Sequence, residues 1–228
     1  MKELSKVIGI ISYFPDDKSL RAIRIKKLKQ LVKACSNFFN NIPVIIIAQN
    51  WPKEIELDNK NLTIYRYPQP LTIVGARKEL RKKFLETNYD YLIMLDDDCE
   101  LYGASAEEYL DQIDRNPNGW IDYYPGILKL FAISHEAFAG VDYDDISLER
   151  QEGFEDLILY KKLLMKYPAR KRSFFCKNFY EQSTSTEDKY STWYKPGMSF
   201  PELFDKTVLY IQETYDEYFN PSGRVTKK

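Results

Sequence analysis

The chain has 228 residues, enough for one large domain with a sizeable core and too few for two comfortable ones. Its 33 Lys and Arg against 34 Asp and Glu leave a net charge of −1, so no global field recruits nucleic acid. Cys35, Cys99 and Cys176 lack a metal-ligand rhythm and fit a reduced cytoplasmic protein; "MKELSKVIGIIS" is too short an apolar run for a signal peptide, and no stretch reaches the ~18–20 apolar residues of a membrane span.

"KVIGIIS" (6–12) and "PVIIIA" (43–48) are β-branched runs of the kind found in strands buried on both faces. Between them Leu28, Leu31, Val32, Cys35 and Phe39 recur at helical spacing, with lysines on the other faces. "LTIYR" (62–66) reads as a strand, and Ala76, Leu80 and Phe84 mark one face of a helix that leads to "YLIML" (91–95). The order β-α-β-β-α-β predicts a mainly parallel, doubly wound α/β sheet flanked by helices, in which ligands bind beyond the carboxyl ends of the strands. Ser12–Pro15, Gln49–Trp51 and Asp96–Asp98 fall at such ends. Further on, a helix is expected over 105–115, strands over 119–124 and 127–133, a helix within 153–168 and a last strand at 172–176. The polar segment 181–197 reads as a long loop, a lid over the site, ending in Trp193 and Tyr194. Residues 1–198 are expected to form the domain, and 199–228 an amphipathic helical tail.

The strand 91–95 runs into three consecutive aspartates, whose mutual repulsion costs stability unless a cation sits among them. Hard carboxylate oxygens suit Mg²⁺ or Mn²⁺, which bridge one or two carboxylates to substrate phosphates. In an extended strand end Asp96 and Asp98 point to one side and Asp97 to the other. The competing reading is a solvated acidic turn capping the next helix.

In "GFEDLILYKKLLMKYP" (153–168), Asp156, Leu159, Tyr160, Leu163, Leu164 and Tyr167 form one helical stripe with Asp156 at its head. A carboxylate there faces the interior or a cleft, as a general base would; the alternative is a helix N-cap or an acid that complements the helix dipole. Dipole and burial act on its pKa in opposite senses, and an ionised carboxylate at neutral pH is expected in either case.

A hydrophobic strand ending in D-x-D, followed some sixty residues later by a Gly-x-Glu-Asp that opens a helix, resembles the GT-A glycosyltransferases, and most of all the inverting bacterial family 2 type. "VGARKELRKKFLETNYDYLIMLDDDCEL" and "ILKLFAISHEAFAGVDYDD … GFEDLILYKKLL" carry the likeness, which covers roughly 6–183. The resemblance implies that Asp96 reaches the nucleotide ribose, that Asp98 holds Mn²⁺ or Mg²⁺ on the diphosphate, and that Arg77 lies near the nucleotide. It further implies Glu155 near the acceptor and Asp156 as the base. Ser12, Tyr13, Gln49 and Asp97 join the nucleotide-sugar site, and Trp193 the acceptor site. Asn178 stands roughly where many relatives supply a metal-binding histidine, and Lys78 where they often have asparagine. The single histidine, His135, reads as structural.

The expected function is therefore metal-dependent, inverting transfer of a hexose, UDP-linked, to a saccharide or lipid-linked glycan hydroxyl in surface polysaccharide or glycoconjugate synthesis. The sugar would be lined by residues around Trp120–Gly126 and by the lid. The protein is expected in the cytoplasm, at the inner face of the membrane, with the C-terminal tail on the lipid surface. Two alternatives stand beside it: a catalytically inactive nucleotide-sugar or carbohydrate-binding protein on the same fold, and a sugar nucleotidyltransferase. The latter lacks the glycine-rich phosphate loop that its chemistry wants after the first strand, where "SYFPDDKSL" brings acids instead.

Overall fold

A computed structural model describes residues 3–52, 55–57, 59–103, 105–122, 130–143, 155–173 and 179–183, with 209, 218–219 and 225–226. The first half follows the sequence pattern: β1 (Lys6–Tyr13), α1 (Lys18–Phe38), β2 (Val44–Gln49), β3 (Leu62–Tyr67), α2 (Ile73–Leu85) and β4 (Tyr91–Asp96). Asp17 caps α1, its carboxylate accepting from the Ser19 and Leu20 N–H groups, and Thr72 caps α2 through Gly75 N–H. Then come β5 (Cys99–Gly103), α3 (Glu107–Asp114), β6 (Trp120–Asp122), β7 (Phe131–Ser134), α4 (His135–Ala139), α5 (Glu155–Lys166), β8 (Lys171–Ser173) and β9 (Phe179–Ser183).

Seven strands form one sheet in the order β3-β2-β1-β4-β7-β6-β8, in which β7 alone runs against the others. Strand residues alternate between two apolar layers, as the period of two demands. Val7, Ile45, Leu92 and Trp120 pack with α2, α4 and α5, whereas Ile8, Ile46, Ile93 and Ile121 pack with α1 and α3. At Gly9 α2 comes so near the sheet that a Cβ would lie 2.7 Å from Leu92 Cδ1 and 2.8 Å from Leu80 Cδ1. The carboxyl ends of β1, β2, β3, β4 and β6 therefore share one edge, which α2 and α5 approach with their first turns.

Four expectations change. The strand ends at Asp96, and Asp97 and Asp98 form a turn into β5 rather than an extended end or a cap of the next helix. β5 pairs antiparallel with β9, so residues 181–183 of the expected loop are strand. α5 is buried from Glu155 through Lys161 except at Asp156, a wider surface than the single stripe. In the tail, Leu209 is helical, but Tyr218–Phe219 (β10) pairs antiparallel with Val225–Thr226 (β11), so the helix does not continue to 219. His135 opens α4 at the opposite edge, packing on the Phe84 ring with Nε2 3.3 Å from the Leu85 carbonyl, the structural position expected of it.

Candidate active site

The three aspartates have three environments. Asp96 is exposed at the tip of β4, yet it accepts from Arg77 Nη2 at 2.6 Å. Asp97 turns inward: Ser12 Oγ donates to Oδ2 at 2.7 Å and Arg24 Nη1 to Oδ1 at 3.4 Å. Burial pushes the Asp97 carboxyl up to about 6, with the Arg24 charge opposing and Asp98 adding to the rise. Asp98 is partly buried; burial and then the Asp96 charge raise its proton affinity, while Arg24 and Lys27 oppose. Asp97 is thus a buried anchor of the turn, with both carboxylate oxygens already engaged by the protein.

Arg77, on α2, is the joint of the site. Its guanidinium donates from Nη2 to Asp96 and from Nε to Glu155 Oε1, 3.2 Å away and 78 residues later. Burial works against its charge, but the Asp96 and Glu155 carboxylates more than compensate, and its proton affinity rises further above the usual. The third nitrogen, Nη1, is buried with no hydrogen-bond partner among the described residues. One cation thus binds the strand-end acids to the helix-start acids.

Glu155 is buried, which raises its proton affinity, and the Arg77 charge offsets part of the rise. Asp156 has no such cation in contact among the described residues. Among the described residues its Oδ1 accepts only from Leu157 N–H, 2.9 Å away, within its own helix turn, and part of its surface reaches solvent. Burial and the adjacent Glu155 charge push its carboxyl up to about 7, against the pull of Arg77 and of that N–H. The expectation of an ionised carboxylate at neutral pH is corrected: burial and the Glu155 charge outweigh the helix start and raise the Asp156 carboxyl into the neutral range.

The remaining expected residues divide. Ser12 is buried, donating to Asp97 and accepting from Trp51 Nε1 at 3.3 Å; Tyr13 is half-buried; Gln49 is buried and accepts from Leu71 N–H at 2.8 Å. Trp51 stacks on Phe14, with the Arg66 guanidinium 5.5 Å from its ring centroid. Trp120 is a core residue, edge-on to Tyr160, and does not line a sugar pocket; the lid beyond 183, Trp193, Tyr194, Asn178 and residues 123–126 lie outside the described residues. Two features escaped the sequence reading. Arg24 could have been found, since it stands one turn ahead of Leu28 on the buried stripe of α1, a cation aimed at the strand ends. Asp122 could not: wholly buried at the end of β6, it has Lys171 Nζ 3.1 Å away without hydrogen-bonding geometry, and Lys171 also reaches the Tyr160 hydroxyl at 2.6 Å.

Among the described residues no group of three His, Cys, Asp or Glu is arranged to hold a metal ion. A magnesium-type site needs less from the protein, one or two carboxylates beside substrate phosphates. Asp98 offers such a group, next to Asp96 and with its charge disfavoured by both burial and that neighbour, so the donor chemistry fits a divalent cation.

No family model and no curated protein matches the chain. Among solved structures, S. aureus TarS 1-349 in complex with UDP-GlcNAc aligns over 92% of this chain and 67% of its own, with TM-score 0.60 and 12% identity. The fold is that of the GT-A glycosyltransferases. This GT-A domain also aligns with TarS 1-349 in complex with UDP (TM-score 0.55, 11% identity, 78% of this chain and 60% of that one). It spans 44% of the longer S. aureus TarS structure. A cytidylyltransferase from Leptospira borgpetersenii is similar at TM-score 0.50, 11% identity and 93% and 96% coverage. Within the described residues no helix is long and apolar enough to cross a membrane.

Proposed function

We propose that this GT-A domain is a metal-dependent, inverting glycosyltransferase that moves a hexose from a nucleoside diphosphate, UDP, to a hydroxyl of a saccharide or lipid-linked acceptor. The observation that carries the reading is the Arg77 bridge, which joins Asp96 of the D-x-D run to Glu155, the neighbour of Asp156. The UDP-GlcNAc and UDP complexes of TarS support a nucleotide-sugar donor for the fold. Asp156 takes the proton of the attacking hydroxyl, whose oxygen bonds to the anomeric carbon as the bond from that carbon to the diphosphate breaks. A positioned carboxylate of near-neutral pKa contributes ~10²–10⁴-fold to such a step. Asp96 and Asp98 face the leaving group; a divalent cation on Asp98 would supply Lewis-acid stabilisation of the diphosphate. Glu155, held by Arg77, orients the acceptor. A single base and direct displacement give inversion, and no second carboxylate nucleophile is needed.

The cytidylyltransferase likeness keeps a nucleotidyl-transfer reading in view, but the segment after β1, "YFPDDKS", has no glycine-rich phosphate cradle. The test is a screen of nucleotide-sugars for hydrolysis and thermal stabilisation, with and without chelator. Turnover restored by Mn²⁺ or Mg²⁺ and abolished in Asp98→Ala is expected. Full activity in chelator would remove the metal, and stabilisation without any turnover would leave a binding protein.

A further inference from the structure

The chain's charge is balanced overall but not locally. α1 carries seven Lys and Arg over 21 residues and no Asp or Glu, in a protein of net charge −1. Its two inward cations, Arg24 and Lys27, act on the aspartate turn. Lys18, Lys26, Lys29 and Lys33 are exposed, and none forms an ion pair among the described residues. At about 100° per residue these four fall within about 80° of the helix circumference, along roughly 22 Å of its length. Ile23 flanks this arc and is 53% exposed, among the few large apolar side chains in water. A row of lysines bordered by an exposed isoleucine is the pattern of a helix that lies on an anionic lipid surface.

We propose that the exposed face of α1 docks the protein on a bilayer containing anionic lipid. The geometry favours a flat partner: the cations lie on one face of a single helix, and an apolar side chain beside them gains from the acyl boundary, which a soluble polyanion does not offer. α3, in the same layer, exposes Glu107, Glu108 and Asp111. These repel the surface, so the helix rather than the whole layer makes the contact. Because α1 starts at the carboxyl edge, just after Tyr13, docking sets the mouth of the site beside the headgroups, within reach of a lipid-linked acceptor. This contact is made by α1; the C-terminal tail, where the lipid contact was expected from sequence, lies almost wholly outside the described residues.

Co-sedimentation of the full chain with vesicles tests this independently of any transferase activity. Phosphatidylcholine vesicles with about 30% phosphatidylglycerol are compared with pure phosphatidylcholine at low salt and at about 0.5 M salt, where screening acts within about 4 Å. Binding to the anionic vesicles alone, lost at high salt, is expected. Each lysine near such a surface is worth about fivefold in partition. Lys26→Gln/Lys29→Gln/Lys33→Gln should therefore lower binding by ~100-fold, and the triple Glu variant by more, with unchanged circular dichroism and melting. Equal binding to neutral vesicles, or binding indifferent to the triple reversal, overturns the proposal. So does a chain that binds soluble polyphosphate through these lysines yet leaves anionic vesicles in the supernatant.

Discussion

The two acidic clusters joined by Arg77 solve the same problem of like charge in different ways. At the strand end, three aspartates are separated by direction and by cations from two helices: Arg77 of α2 holds Asp96, and Arg24 of α1 holds Asp97. At the start of α5, two acids share a single cation, and contact with it goes to Glu155. Among the described residues Asp156 is left with one backbone N–H, and its carboxyl is raised to about 7. Asp96 and Glu155 are each held by Arg77, while the proposed base is the acid that Arg77 does not touch. Chemistry thus follows from how the cations are shared, not from the acids alone.

The largest effect comes from removing the shared cation. Arg77→Met leaves Glu155 buried and unpaired, which costs about 3–5 kcal/mol, whereas the half-exposed Asp96 arm adds little. Chemical denaturation should show that loss at neutral pH and a smaller one on acidification, because a protonated Glu155 needs no cation. Stability that is unaltered at pH 7 would mean that the two sites are not joined through this residue.

Asp156→Asn keeps the shape and removes the charge, so transfer should fall by ~10²-fold or more with little change in nucleotide affinity. Its stability should move the other way. Asp156 has a folded pKa above its unfolded one, so ionisation penalises the fold: wild type loses stability as pH rises from about 4 to 7 and stays low above. The variant should gain on wild type by up to about 4 kcal/mol at pH 8 and nothing near pH 4. The wild-type rate should likewise rise with pH through about 7, a limb absent from the variant. A variant that transfers normally would return Asp156 to a helix-dipole role.

Ser12→Ala gives the smallest effect. It removes the hydroxyl that donates to Asp97 and accepts from Trp51. A bond to a charged group is worth about 1.5–3 kcal/mol, and partial hydration reduces that to about 1–2. The loss should be greater at pH 8 than at pH 5, since only the ionised Asp97 needs the donor. Equal losses at both would show that Asp97 is already protonated and that the turn is not held by charge.

Much of this was legible in the sequence, and the boundary has a physical cause. The strands from 6 to 95 are β-branched runs that must be buried on both faces, and the stripes of α1 and α2 repeat every turn. Both acidic sites could be read from their places at a strand end and a helix start. Contacts between distant segments could not: "CELYG" finds its partner some eighty residues later in β9, and nothing local says that Arg77 will meet Glu155. The turn at Asp97–Asp98 was hidden for a similar reason, since β5 is needed to draw the chain aside. The Asp156 pKa depended on the balance between burial and Arg77, which spacing does not carry.

Gly9 has no functional group and lies mid-strand. Yet the thickness of the layer between β1 and α2 is set by its single hydrogen, because a methyl would press on Leu80, one turn from Arg77. Position 9 therefore works as a spacer gauge: whatever fills it must first displace the methyls of Leu92 and Leu80, the latter one turn from the guanidinium that joins the two acidic sites.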